Sequence, residues 1–158
     1  MAVTSAGILL HRHAGEALEV LLVHPGGPYW AKKDEGAWSI PKGEVDEGEE
    51  PVACALRELG EELGSDLGLR VQDLTDLGSI RQKGGKTVLC WAAPGTFDPA
   101  ELRSIAFTME WPPCSGVERE FPEVDRAEWF APDQARRKVI PAQAELIDRL
   151  LEHLEAPS

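Results

Sequence analysis

Basic residues are scarce in this chain: 16 lysines and arginines stand against 28 aspartates and glutamates over 158 residues, a formal charge of −12. Such a surface repels a polyphosphate backbone, so no nucleic acid partner is expected. Cysteine is scarcer still. Cys54, Cys90 and Cys114 are odd in number and widely spaced, which suits reduced structural thiols better than a disulfide framework or a zinc site. Long apolar runs are missing too. Gly7-Ile8-Leu9-Leu10 is broken at once by His11-Arg12-His13, no stretch approaches the ~18 residues of a membrane span, and neither signal peptide nor membrane partner is expected. The expected address is the cytoplasm. What is present, 42% hydrophobic and 28% charged residues, suits a single globular domain over residues 1–158.

Val3 to Leu10 and Ala17 to His24 read as two strands around a polar turn, His11 to Glu16. Pro25-Gly26-Gly27-Pro28 ends the second and opens a loop to Gly36, the kind of segment that often carries ligands. Trp38 to Pro41 reads as a short extended piece that leads into Lys42-Gly43-Glu44. Pro51 suits the first turn of a helix running to about Leu63, where Val52, Ala55, Leu56, Leu59 and Leu63 make one apolar stripe and Gly64 supplies the stop. Leu77 to Gln82 and Thr87 to Ala93 are predicted strands around Lys83-Gly84-Gly85-Lys86, with Ile105 to Trp111 and Ala127 to Phe130 as further strands. Pro132 to Val139 and Ala142 to Leu154 are predicted helices. The class is therefore α/β, a sheet covered by helices.

The segment from Gly43 to Gly64 carries the chemistry. Glu58, Glu61 and Glu62 fall within one broad helix face, and Arg57 is placed to reach Glu61 one turn on. Carboxylates so close repel one another unless something positive sits among them, and hard oxygen donors of this kind suit magnesium or manganese. Arg57 could orient one of them. By its spacing alone the face could equally be solvated, with Arg57 and Glu61 an ordinary surface ion pair.

The full spacing narrows the choice. Gly43, five residues, Glu49, seven residues, Arg57-Glu58-Leu59, one residue, Glu61-Glu62, one residue and Gly64 resembles the Nudix box, G-x5-E-x7-R-E-U-x-E-E-x-G-U with U aliphatic. Ser65 departs from the last aliphatic position and removes no ligand. The opening hairpin, Pro41-Lys42-Gly43, and Trp129-Phe130 before a helical end also resemble that family. The resemblance implies an α/β/α sandwich with a mixed sheet, a loop–helix–loop catalytic motif, and a hydrolase dependent on Mg2+ (or Mn2+). Carried over position by position, it makes Glu58, Glu61 and Glu62 metal ligands or, for one of them, a base for water. Glu49 and Arg57 would brace them, and the Gly43 carbonyl would add a ligand. Family members often add a carboxylate from a later loop, and Glu123, with Glu120 behind it, is the choice here.

A nucleotide needs aromatic faces and fixed cations, for which Trp38, Trp30 and Tyr29, and Lys42, Lys83, Lys86 or Arg81, are the candidates. The alternative is core packing for the tryptophans and solvation for the lysines. His24, at the end of an apolar strand, reads as a satisfied structural histidine. The run Ala37 to Gly43 is similar to the corresponding segment of family members acting on dinucleoside polyphosphates. The expected function is a pyrophosphohydrolase acting on a nucleoside diphosphate-linked small molecule, as a monomer or homodimer. A nucleotide-binding or sensing module on the same fold is the alternative, and an interaction domain using Pro28 to Gly36 is compatible with either.

Overall fold

The apolar residues of the first two strands alternate between two faces, and in the computed structural model, which describes residues 3–155, they form the middle of a six-stranded mixed sheet. β1 (Thr4–Ala14) and β2 (Ala17–Pro25) make a hairpin closed by Gly15 and Glu16. His11 to Ala14, expected in the turn, continue the strand instead. Cross-strand pairing accounts for this: Arg12 faces Glu19 in the register and its Nε donates to the Glu19 carboxylate at 3.0 Å.

β1 is shared along one edge. β3 (Lys42–Glu44) pairs with its start and β2 with its end, both antiparallel, while β5 (Lys86–Pro94) runs parallel along the other edge. β4 (Thr75–Gln82) closes the sheet beyond β5, and β8 (Val124–Phe130) closes it beyond β2. β6 (Ala106–Glu110) and β7 (Glu118–Pro122) form a separate hairpin. Sequence reading found the first of that pair and not the second, because exposed Glu118 and Arg119 leave no apolar alternation to read.

Both faces of the sheet are covered. Helix α1 (Pro51–Leu63) sets Cys54, Ala55, Leu59 and Leu63 against Ala6, Ile8, Leu10, Leu21 and Val23. On the other face, α2 (Pro132–Lys138) and α3 (Ala144–Glu155) bring Ala135, Leu146, Ile147 and Leu150 onto Leu9, Val20, Leu22 and Val88. The result is the expected α/β/α sandwich, at about 1.5–3 kcal/mol for each large apolar side chain fully buried. Among the described residues no helix is long and apolar enough to cross a membrane.

Trp38 is corrected by this packing. Its ring is 1% exposed, edge-on to Phe130 at 5.0 Å and to His24 at 5.2 Å, and its indole N–H donates to Asp34 Oδ1 at 2.8 Å. A base cannot stack on a face already enclosed by the core. Trp38→Ala is therefore expected to lower folding stability by about 3–5 kcal/mol through the cavity it leaves. Chemical denaturation measures this, and unchanged stability with a raised Michaelis constant would restore the residue to the substrate site.

Candidate active site

The site is built where β3 turns into the acidic loop before α1. Gly43, paired with Ala6 on β1, lies directly beneath the Glu58 carboxylate: a methyl group there would sit 2.0 Å from the Glu58 carboxyl carbon. Only glycine lets a carboxylate lie on the backbone at that distance. One turn farther, Glu62 Oε2 accepts the Lys42 backbone N–H at 2.6 Å. Helix and strand are thus joined through two glutamates.

Arg57 gathers the remaining acids. Its Nε and Nη2 grip both oxygens of Glu49 at 2.8 and 3.0 Å, and its Nη1 donates to Glu58 at 2.9 Å and to Glu61 at 3.1 Å. The two-pronged bond to Arg57 holds the Glu49 carboxyl down at about 2. Burial pushes the other way on Glu58 and Glu62. Glu62 rises to about 8 despite the Lys42 N–H, with the charges of Glu58 and Glu123 adding to the rise. Glu58 is raised for the same first reason, with Arg57 pulling it down and the charges of Glu61 and Glu123 adding to the rise. Glu123, 60 residues beyond the end of the helix at Leu63, is therefore among the box acids in space.

A cavity of ≈ 210 Å³ opens beside them, lined by the charged Lys42, Glu62 and Glu123 and by Trp30, Pro25 and Ile140 among its apolar residues. Burial lowers the Lys42 ammonium from its usual range, with Lys86 lowering it further against the pull of Glu62. Lys86, exposed at the start of β5, is near enough to act on that charge but does not line the cavity. Lys83, in the exposed β4–β5 turn, and Arg81, exposed on β4, line none of this cavity, and Glu120 is exposed on β7. Tyr29 is exposed and packs edge-on against Trp111.

Sequence reading missed Gln143, which holds Ser39 of the cavity wall from behind. Gln143 is fully buried, accepting the Ile40 N–H at 2.9 Å and donating to Ser39 Oγ and Gln82 Oε1, so it ties the approach to β3 against the α2–α3 connection. His24 has both ring nitrogens engaged, at 2.8 Å from Asp125 Oδ1 and 2.7 Å from the Lys33 carbonyl, which agrees with its reading as a structural histidine. A glutamine after a proline and a histidine ending a strand give no periodic signal.

Among the described residues no three His, Cys, Asp or Glu side chains form a finished metal cage. The donor set still suits a hard cation. Glu58 and Glu62 are crowded and raised by burial, which is the demand for positive charge that a divalent ion meets.

A family model described as a NUDIX domain matches residues 1–150. The chain belongs to the Nudix family. A curated relative, the nucleoside triphosphate pyrophosphatase/Nudix hydrolase fusion protein of Bifidobacterium longum (strain NCC 2705), is 31% identical over 121 residues, 72% of this chain and 24% of the relative. The chain thus spans about a quarter of that protein's length. Among solved structures, the C. elegans Ap4A hydrolase binary complex superimposes with a TM-score of 0.65 at 21% identity, covering 97% of this chain and 98% of that one. The Nudix domain of Shewanella oneidensis NrtR complexed with ADP ribose gives 0.63 at 16% identity over 98% and 89%. At such identities the likeness is one of fold. The Nudix box of this chain stands with all its charged positions filled, and the cluster around Arg57 is where that box comes together.

A carboxyl near 8 in the folded protein and at its ordinary 4.5 in the unfolded chain binds more protons folded than unfolded between those values. Metal-free protein is therefore expected to lose stability through Glu62 as pH rises across that window, and Glu62→Gln to flatten the loss. Glu49 acts in the opposite sense and at lower pH: its contribution is present above 4.5 and is lost as pH falls toward 2. Thermal unfolding in chelator across pH checks both, and superimposable alkaline limbs for wild type and Glu62→Gln would show that Glu62 ionises as an ordinary acid.

Proposed function

We propose that this Nudix-type hydrolase is a divalent-cation-dependent pyrophosphohydrolase that splits a phosphoric anhydride bond in a nucleoside diphosphate-linked small molecule, with dinucleoside polyphosphates and nucleoside triphosphates as the leading substrates. The observation that carries this reading is that Glu62 and Glu123 line one cavity together with Lys42 and Trp30, with Glu58 close enough to feel the charge of Glu123. Glu58, Glu61 and Glu62 with the Gly43 carbonyl would hold Mg2+ or Mn2+, and Glu49 and Arg57 brace them. Such a cation, when bound, offsets charge on the phosphate oxygens and makes water easier to deprotonate.

The chain's own groups do the rest. Glu123 takes a proton from the attacking water, whose oxygen bonds to phosphorus as the bridging P–O bond breaks and its electron pair leaves with the second phosphate. The ammonium groups of Lys42 and Lys86 meet phosphate charge. Trp30, 39% exposed at the cavity wall, replaces Trp38 as the aromatic face for a base. The three free thiols suit a reducing cytoplasm, and the reading takes the chain as one Nudix domain acting as a monomer or homodimer. A binding module without turnover would be expected to have lost box carboxylates, and none is missing here.

Product analysis on a panel of dinucleoside polyphosphates, nucleoside triphosphates and nucleotide sugars, with magnesium or manganese, tests the reading directly. Glu61→Gln and Glu62→Gln are expected to lower turnover by orders of magnitude with the melting temperature held or raised, and excess chelator to abolish it. Near-normal turnover in both variants would remove the box from the reaction. Trp30→Ala is expected to raise the Michaelis constant about 5- to 150-fold, the equivalent of a stacking contribution of roughly 1–3 kcal/mol. An unchanged constant would leave the base without this wall.

A further inference from the structure

The β6–β7 hairpin pairs with no strand of the main sheet among the described residues, yet Glu123 follows directly from it. What fixes Glu123 is a set of contacts on its two sides. Its carbonyl accepts the Gly26 N–H at 2.9 Å, and its own N–H donates to the Ile105 carbonyl at 2.8 Å. The next N–H, of Val124, donates to Ser104 Oγ at 3.0 Å.

Gly26 is where these contacts are tightest. A methyl group there would stand 1.9 Å from the Pro122 carbonyl oxygen and 2.9 Å from its carbon, far inside any contact that a side chain tolerates. Gly26 is not among the glycines with positive φ, so its backbone conformation would accept alanine. Close approach alone excludes a side chain, and the atom it approaches is backbone, one residue before Glu123. Gly27 repeats the pattern more loosely, since a methyl group there would lie 3.0 Å from Phe107 of the hairpin.

We propose that Gly26 is a positioning residue for the proposed reaction: by letting the loop after β2 lie against Pro122, and by donating its N–H to Glu123, it sets where the Glu123 carboxylate stands relative to the box. This rests on the reading of Glu123 as the group that takes the proton. Any side chain at position 26 pushes the 122–123 backbone outward and draws the carboxylate away from Glu58 and Glu62. Misplacement by about an ångström is enough to cost up to roughly 100-fold in rate. Substrate held by Lys42 and Trp30 is bound as before, so the loss falls on kcat.

The test compares Gly26→Ala, Glu123→Gln and the double variant on the best substrate of the panel, with thermal unfolding of each. Gly26→Ala is expected to lower kcat about 10- to 100-fold with KM within about twofold, and the double variant to be no slower than Glu123→Gln alone, because both changes remove the same proton acceptor. Normal kcat in Gly26→Ala, or losses that multiply in the double variant, would overturn the positioning role while leaving the reading of Glu123 intact. Normal kcat in Glu123→Gln would instead sink that reading, and this inference with it. Should Gly26→Ala not fold, Ser104→Ala decides: it loosens the other tether without overpacking, and is expected to give a smaller loss of kcat that likewise vanishes on the Glu123→Gln background. No loss, or one that persists there, would overturn the proposal.

Discussion

Carboxylates that cannot move apart govern this structure. Glu58 lies on the backbone of Gly43, Glu62 on the N–H of Lys42, and Glu49 and Glu61 on a single guanidinium, all within one loop and two turns of helix. Their repulsion alone would unwind the last turns of α1 or swing the side chains into water. It does neither because the opposite face of α1 is held by Cys54, Ala55, Leu59 and Leu63 in the core beneath it. Apolar burial thus holds an electrostatically unfavourable arrangement in place, and the strain left in it is an affinity for positive charge.

The sheet makes that arrangement possible by dividing one edge of β1 between two partners. β3 takes the first residues and β2 the last, so the strand that begins the box ends beside the strand that leads into the loop of Trp30. A continuous partner would have filled the space now taken by the cavity. The second core, on the far face, fixes the approach to β3 through Trp38 and Gln143, two large side chains whose polar atoms are all engaged. Each core therefore secures one side of the same site.

Around the cavity the loops are fixed by polar contacts both local and of long sequence separation. His24 joins β2 to Asp125 on β8 and to the Lys33 carbonyl, while Asp34 accepts from Trp38 and pairs with Lys138. The segment from Gly26 to Gly36 is thereby a fixed wall, although it contains no helix or strand, and a wall fixed before binding spares a ligand the entropy of ordering it.

Local order was legible in the chain because local order depends on neighbours in sequence. The apolar stripe of α1, its proline start and its glycine stop follow from contacts between near neighbours, so Glu58, Glu61 and Glu62 could be placed on one face without a structure, with Arg57 in reach of Glu61 and Glu49 just ahead of the helix. Expecting Glu123 beside them took the family resemblance, and how it is held there depends on Gly26 and Ser104, which no periodicity connects to it. Trp38 shows the limit from the other side. An aromatic in a loop between a strand and the box reads equally well as a platform for a base or as core, and what decided it was Phe130, His24 and Asp34, brought around the ring by chain segments up to about a hundred residues apart. Sequence determined the acid cluster, since it is written within one loop and the helix that follows. Only the tertiary structure decided which surfaces remain open to a substrate, because exposure is settled by what packs across the sheet.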